Sequence, residues 1–197
     1  QELTVSAVIS GTTATDGVTK TGSGTLVLSG TNTYTGSTVV NAGTLSVSAD
    51  SNLGAAPGSA VADQLTLNGG TLQTTADMTV SDTRGITVGA SGGTIETVAG
   101  TTATVNSIIT GGGVINKTGD GALLITATNT NTGATNVNAG TLGGTGVIGG
   151  DLIVNNGGTV APGIAAEGLL TVGGSLTVNS GGTLLMQLGG ATLNDDA

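Results

Sequence analysis

The feature that most restricts this chain is a long internal repeat. The segment from Lys20-Thr-Gly-Ser-Gly-Thr-Leu to Asn41-Ala-Gly-Thr-Leu45 returns as Lys117-Thr-Gly-Asp-Gly-Ala-Leu through Asn138-Ala-Gly-Thr-Leu142. The copies lie 97 residues apart, and roughly two-thirds of their aligned positions are identical. Upstream, Val5-Ser-Ala-Val-Ile-Ser-Gly11 resembles Val105-Asn-Ser-Ile-Ile-Thr-Gly111. A finer rhythm runs inside the long one. Gly-Thr-aliphatic, or Gly-Ala-Leu, places its second residue at Thr25, Thr44, Thr71, Thr94, Ala122, Thr141, Thr159 and Thr183. The mean step of about 23 residues is that of a solenoid coil with loops of varying length.

Within each unit the local pattern is strand. Pairs such as Leu26/Leu28, Leu45/Val47, Leu65/Leu67, Ile86/Val88, Leu123/Ile125 and Leu152/Val154 alternate with small polar residues, which puts each pair on one face. Asn68-Gly-Gly, Ser91-Gly-Gly, Asn156-Gly-Gly and Ser180-Gly-Gly punctuate the strands as turns. An antiparallel sandwich would accept such strands, but the repeat favours parallel winding, with each corner stacked on the last. On that reading Leu45, Leu72, Ile95, Leu142, Val160 and Leu184 form one interior column. Asn41, Asn68, Asn138 and Asn156 are expected to form a side-chain ladder. About eight coils at ~4.8 Å each give a rod ~40 Å long.

Composition agrees and removes whole classes of function. There are 38 Gly, one Tyr, and no Phe, Trp, His or Cys, so Val, Leu, Ile and Ala must fill a narrow core unaided. The net charge is −9, and Lys20, Arg84 and Lys117 are the only cations. A nucleic-acid-binding face or an anionic-membrane contact cannot be built from three cations. No stretch approaches the ~18 apolar residues of a spanning helix.

Several motifs invite sharper readings. Asp77, Asp82 and Arg84 are the nearest approach to a catalytic set, but acid–base chemistry needs grouped titratable side chains, so no catalytic residue is assigned. A Gly-Gly-x-Gly-x-Asp array is absent, and Asp195-Asp196 reads as solvating charge, so no metal site and no cofactor is assigned. The runs Thr31-Asn-Thr-Tyr-Thr35 and Thr128-Asn-Thr-Asn-Thr132 would suit an ice-binding face only if they recurred in successive coils. They are read instead as exposed strand with Thr and Asn in water. Tyr34 has two open roles, stacking on a sugar or filling a gap beneath a loop. Gly143-Gly-Thr-Gly-Val-Ile-Gly-Gly150 lacks the helix and lysine of a phosphate loop and reads as a set of turns.

Lys-Thr-Gly-x-Gly-x-Leu-x-Leu, then Thr-Asn-Thr-x-Thr-Gly-x-Thr, then Asn-Ala-Gly-Thr-Leu, resembles the passenger-associated transport repeat of Gram-negative autotransporters (type V secretion). Asn131 in place of Tyr34, and Asn136 in place of Val39, are modest departures between the copies. Gly149-Gly-Asp-Leu152 through Val160-Ala-Pro-Gly163 resembles the end of such a passenger nearest its anchor. The resemblance implies a right-handed parallel β-helix, exported through an outer-membrane β-barrel of the same polypeptide and displayed at the cell surface. It implies a single β-helical unit over residues 1–197, with repeats at 5–45 and 105–142 and terminal coils at 143–197. Neither Gln1 nor the tail Gly189–Ala197 reads as a cap, so the expectation is a fragment of a longer passenger. The expected role is a shaft that supports export and folding and extends a distal region. The alternative is an adhesin, self-associating with identical passengers on neighbouring cells or binding host glycans. A polysaccharide-degrading enzyme is the remote third.

Overall fold

The computed structural model describes residues 1–163 and 168–186, so Asp195-Asp196 and the tail from Gly189 lie outside it. The regular structure is short strands, with one 3-10 turn at Asp50–Leu53. Every strand pairs in parallel with its counterpart one coil away, and the chain winds a β-solenoid with three faces. The first face is a nine-stranded sheet running from Glu2–Val5 and Thr25–Leu28 to Leu176–Val178, which fixes the coil number at about eight. A second face stacks Val18–Lys20, Thr38–Val40, Val61–Leu67, Arg84–Val88 and Ile109–Gly111. Residues 129–132 carry it on through backbone bonds to Ile109, Gly111 and Val147, and the pair Val147–Ile148 and Thr171–Val172 completes it. The third face has six strands, from Met78–Val80 to Thr183–Leu184.

Alternation produces the core. In Gly93–Thr97 and Ile115–Thr118 every second residue is buried and its neighbours are partly exposed. Stacking the coils puts these inward residues into aliphatic columns, which apolar burial holds together.

The columns differ from the single one expected. Leu45, Leu72 and Ile95 stack on the first face, where the next partners are Lys117 and Val137. Leu142, Val160 and Leu184 stack on the third face, beneath Leu123. The first repeat copy therefore occupies the second and first faces, and the second copy occupies the first and third. The 97-residue offset equals four and one-third coils of about 22 residues, so the second copy is turned by one face. A repeat that matches in sequence need not stack in space.

The asparagine ladder also runs elsewhere than expected. Asn179 donates to Asn155 (2.8 Å), Asn155 to Asn138 (2.7 Å), and both Asn138 (3.4 Å) and Asn136 (3.1 Å) to Asn116. Of the four expected members only Asn138 takes part. Asn68 instead accepts from the Ser91 backbone N–H at 3.1 Å.

The Thr-Asn-Thr runs are not exposed strands. Both follow irregular backbone in which alternate residues turn inward, so Asn32, Tyr34, Asn129 and Asn131 are buried while the threonines between them face water. Asn32 and Asn129 are equivalent, and each amide oxygen accepts the Ile9 or Ile109 backbone N–H of the preceding coil, at 2.8 and 2.7 Å. Tyr34 is 1% exposed and shares a 2.7 Å hydrogen bond with Thr38, which makes it an interior filler and removes the sugar-stacking role. In the second copy Asn131 is too short to repeat this. Its amide donates to Gly133 O, and the hydroxyl of Thr135, the counterpart of Thr38, is buried without a protein partner. It borders a small cavity walled by Ile95, Ile109, Leu123 and Ile148.

Equivalent positions should therefore respond with opposite sign. Thr38→Val orphans the Tyr34 hydroxyl and is expected to cost about 2 kcal/mol, whereas Thr135→Val removes an unpaired buried hydroxyl and is expected to gain about 1 kcal/mol. Urea midpoints of the two variants check this directly.

Candidate functional site

The sequence singled out charged residues, and the structure puts the cations where none was expected. All three are inside: Lys20 is 6% exposed, Arg84 0% and Lys117 0%. Each corner of a solenoid leaves carbonyls that point inward without a strand N–H, and these side chains supply the missing donors. Lys20 Nζ donates to Thr21 O (3.0 Å), Gly22 O (2.7 Å) and Ala42 O (3.0 Å). Lys117 Nζ donates to the equivalent Thr118 O (2.8 Å), Gly119 O (2.7 Å) and Ala139 O (3.1 Å). One ammonium thus pins two successive corners together. Gly43 and Gly140, both at positive φ, close these corners, because a Cβ there would overlap the carbonyl oxygens of Gly22 and Gly24, or of Gly119 and Gly121.

Arg84 does the same for the irregular coil near Asp50–Leu53. Its Nε meets Asp50 Oδ1 at 2.8 Å, and its two terminal nitrogens donate to Leu53 O and Gly54 O, each at 2.8 Å. The planar fork reaches the Asp50 carboxylate and two carbonyls from three separate nitrogens, a spread that a single ammonium nitrogen does not offer. Arg84 is therefore drawn to Asp50, away from the catalytic grouping with Asp77 and Asp82 that the sequence suggested. Asp77 caps the Thr102 backbone N–H at 2.7 Å, and Asp82 stands exposed. Among the described residues no three carboxylates gather at one point. Gly143–Gly150 is likewise no mere set of turns: Gly143 and Gly144 end a third-face strand, and Val147–Ile148 begins the next stretch of the second face.

With its cations inside, the described exterior carries carboxylates alone, including Glu2, Asp16, Asp63, Asp77, Asp82, Asp120 and Asp151. On the first face, Thr25, Thr44, Thr71 and Thr94 stand in register in successive coils. The neighbouring column reads Val27, Ser46, Gln73 and Glu96, so the threonine rank is one residue wide. The exterior hollows include a lateral pocket of about 500 Å³ beside Thr35, Ser37 and Gln64, and a larger one of about 660 Å³ beside Glu2, Lys20 and Thr25. Sequence reasoning missed both the lateral pocket and the buried cations. Lys20 and Lys117 had a legible signal, since each copy places a lysine immediately before Thr-Gly at a corner.

Two stretches, residues 18–47 and 115–142, match the model of the passenger-associated transport repeat. The adhesin BmaC autotransporter of Brucella suis biovar 1 (strain 1330) is 42% identical over 152 residues, which is 77% of this chain and 4% of that relative. The chain carries two passenger-associated transport repeats. No solved structure matches it. The matched stretches coincide with the two lysine-pinned corners, so the ammonium clamp is a structural element of both passenger repeats in this chain.

Burial pushes the Lys117 ammonium down to about 8, with the carboxylates of Asp120 and Glu96 opposing. Its folded-state value lies below the unfolded one of 10.5, so between them the unfolded chain binds more protons and stability rises with pH. Lys117→Met, which strips three carbonyls of their donor, is expected to cost about 2 kcal/mol at neutral pH. The difference in stability between wild type and Lys117→Met should widen from about pH 8 to pH 10. Urea titrations across that range measure it.

Proposed function

We propose that this chain is a structural shaft segment of an autotransporter passenger. It is exported through an outer-membrane β-barrel carried elsewhere on the same polypeptide, is displayed at the surface of a Gram-negative cell, and holds a distal region away from the membrane. The observation that carries this reading is the stack of coils whose three cationic side chains are all spent on holding the backbone. Lys20, Lys117 and Arg84 are committed to backbone carbonyls and Asp50, so the chain's scarce chemistry serves the fold itself. Each added coil extends the rod by ~4.8 Å and contributes its own burial, and each finished coil offers a parallel edge to the next. That supports a role in vectorial folding as the chain emerges.

Adhesion is the second reading, favoured by the similarity to an adhesin of Brucella. Self-association is the form of adhesion least compatible with the exterior described above, since two such surfaces present carboxylates to each other without a cation between them. No enzymatic role is proposed. Beads coated with the chain are expected to stay dispersed when mixed with one another at neutral pH and physiological salt. Clumping would make this stretch a self-associating adhesive element and displace the shaft reading.

A further inference from the structure

The two repeat copies differ in the length of their connections. From Gly11 to Lys20 the first copy spends three residues more than the second does from Gly111 to Lys117. From Leu45 to the next inward residue, Leu72, it spends nine more than the second does from Leu142 to Val160. Insertions in a solenoid gather as loops on one side, and that side is commonly the binding side. Here both insertions reach the same place. Ala14 of the first loop and Pro57 of the second both line the 500 Å³ pocket, together with Thr35, Ser37, Asp63 and Gln64. That volume falls within the roughly 300–1,000 Å³ usual for small-ligand sites.

The pocket is built, not incidental. Gln64 is 4% exposed, and its Nε2 donates to Thr35 O (3.3 Å) and Gly36 O (3.0 Å). The amide nitrogen is thereby fixed, and the amide oxygen accepts no hydrogen bond from the protein. Thr35 Oγ1 donates to Thr13 O at 3.1 Å, which ties the first loop to the coil and leaves that hydroxyl as an acceptor. Asp16 holds the same loop by accepting the Thr12 and Thr13 backbone N–H groups at 2.9 and 2.8 Å. The polar lining is therefore rich in acceptors, namely the Gln64 amide oxygen, the Thr35 hydroxyl oxygen and the Asp63 carboxylate, and the Ser37 hydroxyl can accept or donate. Ala14, Ala56 and Pro57 add methyl and ring carbon to the same pocket.

We infer that this pocket binds a neutral saccharide unit. A pyranose offers several hydroxyl donors to the acceptors and a C–H face to the apolar carbons. An anionic sugar is refused, because Asp63 borders the pocket and every cationic side chain in the described chain is buried elsewhere. The site adds a lateral ligand to the shaft and does not depend on the shaft reading being correct.

The test is a printed array of neutral mono- to tetrasaccharides with their sialylated and sulfated counterparts, probed with the whole chain. Ala56→Trp, which fills the pocket from an exposed position on the second loop, is the companion variant. The expected result is binding to a neutral subset, with the anionic counterparts silent. In Ala56→Trp that binding should weaken about tenfold or more while the urea midpoint stays unchanged. Silence across the neutral saccharides, binding that survives Ala56→Trp, or preference for the anionic forms would each overturn the assignment. Binding of a polyamine such as spermidine in place of the saccharides would overturn it as well, by showing that Asp63 alone governs the site.

Discussion

A wall one strand thick must turn three corners per coil, and where corners leave backbone carbonyls directed inward, a side chain has to supply their donors. That constraint governs the rest of the molecule. Strand-to-strand bonding satisfies the flat faces, because each coil's N–H groups meet the carbonyls of its neighbour, but it stops where the chain bends. Apart from Tyr34, the interior is packed with aliphatic side chains. The donors at the corners must therefore be slender, long and able to serve several acceptors together. Lys20 and Lys117 fit that description with three carbonyls each, and Arg84 closes the irregular coil around Asp50–Leu53 with a fork. Interior asparagines do the complementary work of accepting stray N–H groups, as Asn32 and Asn129 do for Ile9 and Ile109.

Committing the cations inward has an electrostatic consequence outside. A chain with a net charge of −9 keeps its few positive groups in the core, so the described surface is more uniformly acidic than the sequence alone suggests. Such a surface carries the same sign of charge as nucleic acid, anionic lipid and its own copies. The pocket between the two insertions is where the inferred neutral ligand would sit.

The fold class was legible because aliphatic alternation, Gly-rich corners and the coil-length rhythm all point to parallel winding, and the model match at residues 18–47 and 115–142 agrees with the motif resemblance. The stacking order was less legible. Leu45 and Leu142 occupy the same place in the repeat, yet the offset contains a third of a coil too many for them to share a face. Sequence identity reports descent of a segment, and register is set by how many residues each loop consumes on the way round. Tyr34 and the asparagines around it were misread because irregular backbone can alternate inward and outward as strand does, without a hydrophobic pattern to betray it. The pocket was half legible: the extra residues after Leu45 are plain in the sequence, but their meeting with the loop at Ala14 is a fact of three dimensions.

The one-face rotation between the two copies decides where every corner of the second repeat falls, and cysteine cross-linking tests it in a chain that has no cysteine of its own. Thr94 and Asn116 are register partners on the first face, with side chains pointing outward on adjacent coils, whereas Ala122 lies on the third face although it is the next Gly-Thr-aliphatic position after Thr94. Under mild oxidation the Thr94→Cys/Asn116→Cys pair is predicted to form an intramolecular disulfide and the Thr94→Cys/Ala122→Cys pair to remain reduced. The reverse outcome would mean that the repeats stack copy upon copy, and the corner clamps described here would then be wrongly placed.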